Sequence, residues 1–197
     1  MTADKFLIAG LGNPGREYRN NRHNAGFMVL DELAARLGEK FTRRQSDSLY
    51  ITGRLAGASV VLAKPQRYMN LSGRPVASLV RFYDVPLDHL LVVFDELDLP
   101  LGALRLRPEG GTSGHRGMES IVEALGTQAF PRLRVGIGRP PGRKGAASHV
   151  LEDVDEEDLP FVDSALERAA AAVECFVSEG IVPAMNRFNR PGDNAEG

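Results

Sequence analysis

The stretch Phe6-Leu-Ile-Ala-Gly-Leu-Gly-Asn-Pro-Gly15 decides how the rest of the chain is interpreted. Its first part, residues 6–11, is a continuous apolar run of the kind that forms a buried strand. Glycines and a proline follow at once and end the strand in a tight loop. Arg22-His23-Asn24 comes a few residues later, so polar side chains capable of chemistry lie where a strand meets a loop. Active sites of α/β proteins are commonly found at such strand ends.

Apolar runs and helical periods alternate along the remainder of the chain. Further strands are expected at residues 50–55, 59–63, 90–94, 104–106 and 133–137, the first two forming a hairpin. Helices are expected at residues 27–37, 76–83, 121–125, 156–178 and 184–188. This alternation predicts an α/β protein, a single domain with a twisted mixed β-sheet flanked by helices on both faces. We expect the domain to span residues 1–190 and residues 191–197 to form a disordered polar tail.

Length and composition agree with one compact domain, since the chain has 197 residues, 43% of them hydrophobic and 25% charged. No apolar stretch approaches the roughly 20 residues of a membrane span, and the N-terminal run lacks the pattern of a signal peptide. We therefore expect a cytoplasmic protein without membrane contact. The single cysteine, Cys175, excludes an intramolecular disulfide and a cysteine-rich zinc site, and its apolar neighbours predict a core thiol.

The charges are strongly segregated although the net charge is only −2. Residues 105–144 carry eight arginines and lysines against three glutamates, a net charge of +5. Residues 145–180 carry ten acids against one arginine, a net charge of −9. This pattern is compatible with a basic face that docks a polyanion and, equally, with two ordinary solvated surfaces.

The N-terminal motif matches G-x-G-x-x-G, which makes a dinucleotide site the first alternative to consider. That fingerprint requires a helix to open at the last glycines and an acidic residue to close a second strand about 20 residues on. Residues 16–24 are polar without an apolar period, and Asp31 falls inside an amphipathic helix. We therefore do not expect a nucleotide cofactor.

His23 differs from the other three histidines because it lies in the loop that follows the predicted buried strand at residues 6–11. We expect His89 to be a surface loop residue and His149 to be structural, whereas His115 could contact a ligand or cap a helix. Imidazole can take a proton from water near neutral pH when a carboxylate fixes its tautomer. Asp95 is the best candidate for that carboxylate, because it terminates the most buried strand.

Two other kinds of site are less well supported. Asp95, Glu96 and Asp98 could together indicate a metal site, but the spacing of these carboxylates matches no recognised one. The chain contains neither G-x-S-x-G nor S-x-x-K, so a serine nucleophile has no support. The remaining interpretation is a histidine–carboxylate pair that activates water, with the amides of Asn13 and Asn70 orienting a carbonyl and with no metal or cofactor.

Several multi-residue blocks occur in a characteristic order along nearly the whole chain. They include Gly10-Leu-Gly-Asn-Pro-Gly15, Arg22-His-Asn24, Met69-Asn-Leu-Ser-Gly73, Asp95-Glu-Leu-Asp-Leu-Pro-Leu-Gly102, Gly114-His115 and Arg132-Leu-Arg-Val-Gly-Ile-Gly138. In this order they resemble the bacterial peptidyl-tRNA hydrolase family. The resemblance implies hydrolysis of the ester that joins a peptide to the 3′-terminal ribose of tRNA, which recycles tRNA from stalled or abandoned translation.

Carried over position by position, the resemblance implies that His23 is the catalytic base and that Asp95 orients it. It further implies contacts with the peptide and with the acceptor stem, 3′ end and 5′-phosphate of tRNA from Asn13, Tyr18, Met69, Asn70, Arg107, His115 and Arg134. We expect Arg105 and Arg116 to contact the tRNA as well. Met69 would line the cleft and His115 would contact the acceptor end. Arg107 and Arg134 stand where the family clamps the 5′-phosphate.

One position departs from the family, which commonly has asparagine where this chain has Arg116. We expect Arg116 to contact an acceptor-stem phosphate instead. Paralogues of the family act as RNA-binding splicing factors, which leaves a non-catalytic RNA-binding protein as the alternative function. A monomer is expected, because the sequence shows no heptad repeat and no second apolar face.

Overall fold

The computed structural model describes residues 5–190, so residues 1–4 and the tail expected at 191–197 lie outside the described residues. The strands are β1 (Lys5–Gly10), β2 (Arg43–Gln45), β3 (Ser48–Leu55), β4 (Ala58–Pro65), β5 (Leu90–Glu96), β6 (Leu104–Arg107) and β7 (Arg132–Gly136). The helices are α1 (Ala25–Leu37), α2 (Gly73–Phe82), α3 (Arg116–Leu125), α4 (Ala146–Val150), α5 (Leu159–Glu179) and α6 (Ile181–Phe188). Short 3₁₀ turns include Arg16–Tyr18, Arg22–Asn24 and Met69–Leu71.

The seven strands form one sheet in the order β2-β3-β4-β1-β5-β7-β6. The four central strands β4, β1, β5 and β7 are parallel, whereas β2, β3 and β6 pair antiparallel at the two sides. Helices α1, α5 and α6 share one hydrophobic core with the sheet, and α2 and α3 share the other. The expected α/β class, with a mixed sheet covered on both faces, is confirmed, while the domain boundary at residue 190 stays a prediction.

Strands β1 and β5 are buried on both faces, which explains why they are continuous apolar runs in the sequence. Ile8 and Val93 point to the core under α1 and α5, and Leu7 and Val92 point to the core under α2 and α3. All four side chains are fully buried. The carboxyl ends of these two strands are therefore held rigidly in the centre of the molecule.

Helix α1 lies unusually close to the sheet because both contacting residues are glycines. A Cβ atom on Gly26 would lie 2.3 Å from the carbonyl oxygen of Val93 and 2.4 Å from the amide nitrogen of Leu11. A Cβ on Gly10 would lie 2.4 Å from the carbonyl oxygen of Gly26. The glycines of the N-terminal motif thus serve backbone packing, and the turn Arg22–Asn24 that precedes α1 is brought to the end of β5.

Two elements were not predicted from the sequence. Strand β2 consists of three polar residues, and it pairs with β3 through a tight turn in which Ser46 and Asp47 both have positive φ. Helix α4 is only five residues long and follows a segment rich in glycine and proline, where periodicity gives no signal.

The basic surface is smaller than the charge count predicted, because Arg132 is completely buried. Burial, and then the nearby Arg134, lowers the pKa of Arg132 to about 10. Its guanidinium donates hydrogen bonds to the backbone oxygens of Gly110, Gly111, Gln128 and Phe130. Arg132 therefore anchors the glycine-rich loop that follows β6 and is not available to a polyanion.

The expectation for His89 was wrong in part. Its ring is half-buried and stacks on Phe6 with a centroid separation of 4.2 Å. A surface position was inferred because His89 directly precedes a strand, and the local sequence carries no information about a stacking partner more than 80 residues away.

Helix α5 places an alanine-rich face in the core and its acidic residues towards solvent. Cys175 is buried on this helix, which confirms the expected core thiol. The guanidinium of Arg187, on α6, lies 3.4 Å from its sulfur. Within residues 5–190, no helix is both long enough and apolar enough to cross a membrane.

The close approach at Gly26 predicts a specific stability effect. Gly26→Ala inserts a methyl group against fixed backbone atoms, so we expect it to lower the free energy of unfolding by about 3 kcal/mol. The matched control is Gly111→Ala, since a Cβ there meets nothing within 4 Å and the residue has no positive φ. The control should change stability by less than about 1 kcal/mol. Urea unfolding measures both, and equal effects of the two substitutions would contradict the packing argument.

Candidate active site

A cleft of about 410 Å³ opens at the carboxyl edge of the parallel strands. His23, Asp95 and His115 line it together with Asn13 and Arg116. They come from four places in the chain: the loop after β1, the turn before α1, the end of β5 and the start of α3. The polar residues singled out in the N-terminal loop therefore meet the end of the second buried strand.

The imidazole of His23 is held by the carboxylate of Asp95. Nδ1 of His23 lies 2.8 Å from Oδ1 and 2.9 Å from Oδ2 of Asp95. Because an ionised carboxylate only accepts hydrogen bonds, Nδ1 carries the proton in this pair. Nε2 has no hydrogen-bond partner among residues 5–190, and it is the unprotonated nitrogen of the neutral ring. His23 thus lines the cleft with one ring nitrogen that no described residue engages.

His115 uses the same carboxylate from the other side. Its Nε2 lies 2.9 Å from Oδ1 of Asp95, and its Nδ1 accepts the backbone N–H of Met118 at 3.3 Å. The second contact fixes the tautomer, so Nε2–H is the donor to Asp95. The sequence left open whether His115 caps a helix or contacts a ligand; it caps α3 and also holds Asp95, with both ring nitrogens engaged.

Two opposing influences act on the charge of Asp95, whose side chain is almost completely buried. Burial by itself would raise the pKa of this carboxyl. The imidazoles of His115 and His23 more than offset burial, and the pKa lies well below its usual range. Asp95 therefore remains an anion that can keep the Nδ1 proton of His23 in place.

Asn13 is locked by a reciprocal pair of hydrogen bonds with Asn24. The N–H of Asn13 donates to Oδ1 of Asn24 at 2.8 Å, and Nδ2 of Asn24 donates to the carbonyl of Asn13 at 3.0 Å. Oδ1 of Asn13 accepts the N–H of Met69 at 2.7 Å. The amide orientation is therefore determined, and Nδ2 of Asn13, which donates to no described residue, is free to bind a carbonyl oxygen in the cleft.

Six of the nine expected substrate contacts do not line this cleft: the three arginines Arg105, Arg107 and Arg134, and also Tyr18, Met69 and Asn70. Met69 is buried, and its sulfur packs where a Cβ on Gly117 would lie, which corrects the expectation that it lines the cleft. Asn70 is exposed in the adjoining 3₁₀ turn, and Tyr18 is half-buried in the turn Arg16–Tyr18. Sequence motifs show which residues occur together, but not which way neighbouring side chains point.

Arginines form a row on one face of the sheet beside the cleft. Arg105 lies opposite Arg134 in the β6–β7 register, and Arg107 lies opposite the buried Arg132. Arg107 is exposed, whereas Arg134 donates to the carbonyl of Gly111 at 3.3 Å. Like charges placed directly opposite each other on paired strands are unfavourable. Arg134 also lies 3.7 Å from the buried carboxylate of Glu96, so Arg107 is the most exposed cation of this row.

Arg22 is a site residue whose importance the sequence did not reveal. Its buried guanidinium donates to the carbonyl of Asp153 at 2.7 Å and to the carboxylate of Asp155 at 2.8 Å. This ties the segment after α4 to the turn that carries His23. Helix α4 and the residue after it form an apolar wall of the cleft through Ala146, Ala147, Val150 and Leu151.

The ligand atoms of His23, Asp95 and His115 lie within 4.8 Å of one another, close enough for a metal ion to be considered. Both histidines, however, already lie at direct hydrogen-bond distance from the carboxylate, at 2.8 and 2.9 Å. The three groups therefore satisfy one another as a hydrogen-bonded triad.

The fold and the site define an α/β protein with a histidine–carboxylate pair at the carboxyl edge of its sheet, an arrangement suited to activating water. Residues 7–196 match the family model described as Peptidyl-tRNA hydrolase. Because this match covers nearly the whole sequence, the chain belongs to the peptidyl-tRNA hydrolase family.

Individual relatives agree with this assignment. The peptidyl-tRNA hydrolases of Mycobacterium ulcerans (strain Agy99) and Mycobacterium marinum (strain ATCC BAA-535 / M) are each 54% identical over 188 residues, which cover 95% of this chain and 98% of the relative. The crystal structure of peptidyl-tRNA hydrolase from Acinetobacter baumannii superposes with a TM-score of 0.88 at 35% identity and covers 96% of both chains. The resemblance inferred from the sequence is confirmed, and the RNA-binding alternative is not favoured.

The buried Asp95 predicts a pH dependence of stability. Its folded pKa is lowered, so an unfolded aspartate, with a pKa of about 3.9, binds more protons in acid. The stabilisation is therefore present above about pH 4 and is lost as the pH falls further. We expect Asp95→Asn to reduce the decline in the free energy of unfolding between pH 5 and pH 2, measured by urea unfolding. Asp88→Asn, at an exposed position, is the control and should keep the wild-type slope; an unchanged slope in Asp95→Asn would disprove the linkage.

Proposed function

We propose that this peptidyl-tRNA hydrolase cleaves the ester between peptide and 3′-terminal ribose with a water molecule activated by His23 and oriented through Asp95. The observation that carries the proposal is the hydrogen bond from Nδ1 of His23 to Asp95 at 2.8 Å, which leaves Nε2 as a base in the cleft. An ester needs only an activated water and stabilisation of the developing oxyanion.

The proposed reaction has two steps. Nε2 of His23 takes a proton from water as the water oxygen attacks the ester carbonyl carbon. The negative charge that develops on the carbonyl oxygen is stabilised by the free Nδ2–H of Asn13. The bond to the ribose oxygen then breaks, and His23 returns its proton to that oxygen. The products are a peptide with a free carboxyl group and a tRNA with a free 3′-hydroxyl.

Asp95 and His115 act through His23 in this mechanism. The anionic carboxylate holds the Nδ1 proton and stabilises the imidazolium that forms while His23 carries the second proton. His115 donates to Oδ1 of Asp95 and thereby fixes the carboxylate from the opposite side. We therefore assign His115 a positioning role, in place of the direct contact with the acceptor end expected from the sequence.

The tRNA is proposed to lie along the arginine row, with its 5′-phosphate between Arg107 and Arg134 and with Arg105 beside them. The register that places Arg105 opposite Arg134, with Arg107 on the same strand as Arg105, supports this placement, since guanidinium groups bind terminal phosphates in a bidentate manner. Tyr18 and Asn70 would contact the substrate only outside the cleft, because neither lines it. A monomeric, cytoplasmic enzyme without a metal or cofactor completes the proposal.

The direct test is incubation of the protein with N-acetyl-aminoacyl-tRNA in the presence of EDTA. Release of the N-acetyl amino acid is expected, because the triad of His23, Asp95 and His115 is satisfied by its own hydrogen bonds. Loss of cleavage on chelation, with recovery on adding a divalent metal, would show that the triad holds an ion. Retained tRNA binding without any cleavage would favour the RNA-binding alternative.

His23→Ala removes the proposed base and should lower kcat by roughly 10²-fold or more. Added imidazole should restore part of the rate, because it can enter the space that the side chain leaves. His89→Ala, which is remote from the cleft, serves as the control and should keep kcat near the wild-type value. Single-turnover hydrolysis of N-acetyl-aminoacyl-tRNA measures the effect, and wild-type turnover by His23→Ala would refute the assignment.

Asn13→Asp tests the oxyanion contact with little change of shape. An aspartate oxygen can still accept the N–H of Met69, but the free Nδ2–H donor is replaced by a second acceptor. We expect kcat to fall by about 10²-fold, as with the loss of one oxyanion donor. Thermal unfolding should show a midpoint close to that of the wild type. A large fall in the midpoint, with kcat preserved at low temperature, would indicate a structural role only.

A further inference from the structure

We propose that Arg116 binds the last phosphodiester of the tRNA 3′ end, the anion nearest to the scissile ester. The proposal rests on the function proposed above and adds a specificity contact to the same cleft. It separates the role of Arg116, which lines the cleft, from that of the arginine row on β6 and β7, whose members do not line it.

Arg116 is an exposed side chain that nevertheless lines the catalytic cleft. It follows His115 directly in the chain, and the His115 ring donates to Asp95 at 2.9 Å. A charge at this position is therefore close to the reacting ester, whereas Arg107 lies on the edge strand β6.

The guanidinium of Arg116 has no carboxylate within 4.0 Å among residues 5–190, which sets it apart from its neighbours. Arg139 pairs with Asp98, and Lys144 pairs with Glu152 at 2.5 Å. The buried Arg22 pairs with Asp155 at 2.8 Å. Arg116 is the one arginine or lysine among the described residues that line the cleft, and without a carboxylate partner it is left to attract an anion from solution.

The backbone that carries Arg116 is firmly placed. The next residue, Gly117, is buried so closely that a Cβ there would lie 2.6 Å from the sulfur of Met69 and 2.9 Å from Cδ1 of Leu11. The preceding His115 caps the same helix through Met118. Helix α3 therefore cannot shift away from the cleft without disturbing the core, and only the side chain of Arg116 adapts to a ligand.

The chemistry of the substrate identifies the anion. The ester is attached to the terminal ribose, whose 5′ oxygen belongs to the last internucleotide linkage, so that phosphodiester is separated from the ester by a single sugar. A peptide esterified through its C-terminal carboxyl group has no other obligatory negative charge near this point. The forked donors of arginine suit two phosphate oxygens at once.

The test is a thermodynamic cycle on N-acetyl-aminoacyl-tRNA. One half replaces the last internucleotide linkage with an uncharged methylphosphonate, and the other half replaces Arg116→Gln. Each change alone should lower kcat/KM by roughly tenfold or more. Both together should cost little more than either alone, because they remove the same contact. Arg116→Gln should also flatten the salt dependence of KM by about 0.7 in the log–log slope.

Two control variants sharpen the result. Arg54→Gln, at the exposed β3–β4 hairpin, removes one positive charge far from the cleft and should show no coupling to the methylphosphonate. Arg116→Lys keeps the positive charge but loses the paired N–H donors of the guanidinium. We therefore expect its coupling to the methylphosphonate to lie between those of Arg54→Gln and Arg116→Gln.

Independent, additive losses in the cycle would overturn the proposal. The proposal would also be overturned if the loss of kcat/KM in Arg116→Gln differed between N-acetylglutamyl-tRNA and N-acetylglutaminyl-tRNA. Arg116 would then respond to the charge of the peptide and not to the phosphodiester. Failure of the unmodified protein to cleave N-acetyl-aminoacyl-tRNA would instead refute the proposed function, so the two failures are distinguishable.

Discussion

One buried carboxylate organises this molecule, because Asp95 accepts hydrogen bonds from two histidines that arrive from opposite sides. An unpaired anion in the centre of a sheet would be severely unfavourable, and the two imidazoles remove that penalty. Their positions in turn require the start of α1 and the start of α3 to lie over the end of β5. Two glycines allow this arrangement. At Gly26 and Gly117 the helix backbone lies so close to its neighbours that a larger residue would push the helix away.

The N-terminal motif shows how one sequence pattern serves two kinds of protein. In dinucleotide-binding proteins its glycines admit a pyrophosphate at a helix N-terminus. Here Gly10 admits the backbone of α1 itself, and a Cβ on Gly12 would collide with the ring of Phe27 at 2.7 Å. The space a phosphate would need is thus filled by protein. What the loop presents to the cleft is the amide of Asn13.

The central strands could be predicted because strands that are buried on both faces appear in the sequence as continuous apolar runs. The meeting of His23 with Asp95 could be anticipated for a related reason, since Asp95 ends one such run and His23 lies in the loop region that follows the other. The bond between His115 and Asp95, the burial of Arg132 and the stacking of His89 could not, because each depends on a partner distant in the chain. Helix α4 escaped prediction because five residues are too few to show a period.

The contacts of Arg22 also join two distant parts of the chain. Its guanidinium donates to the carbonyl of Asp153, 131 residues further on, and to the carboxylate of Asp155. The turn that carries His23 can therefore shift only if a buried, charged hydrogen bond is broken. The placement of a histidine near the start of the chain is thereby coupled to the folding of the segment after α4, so the site is complete only when the last part of the domain has formed.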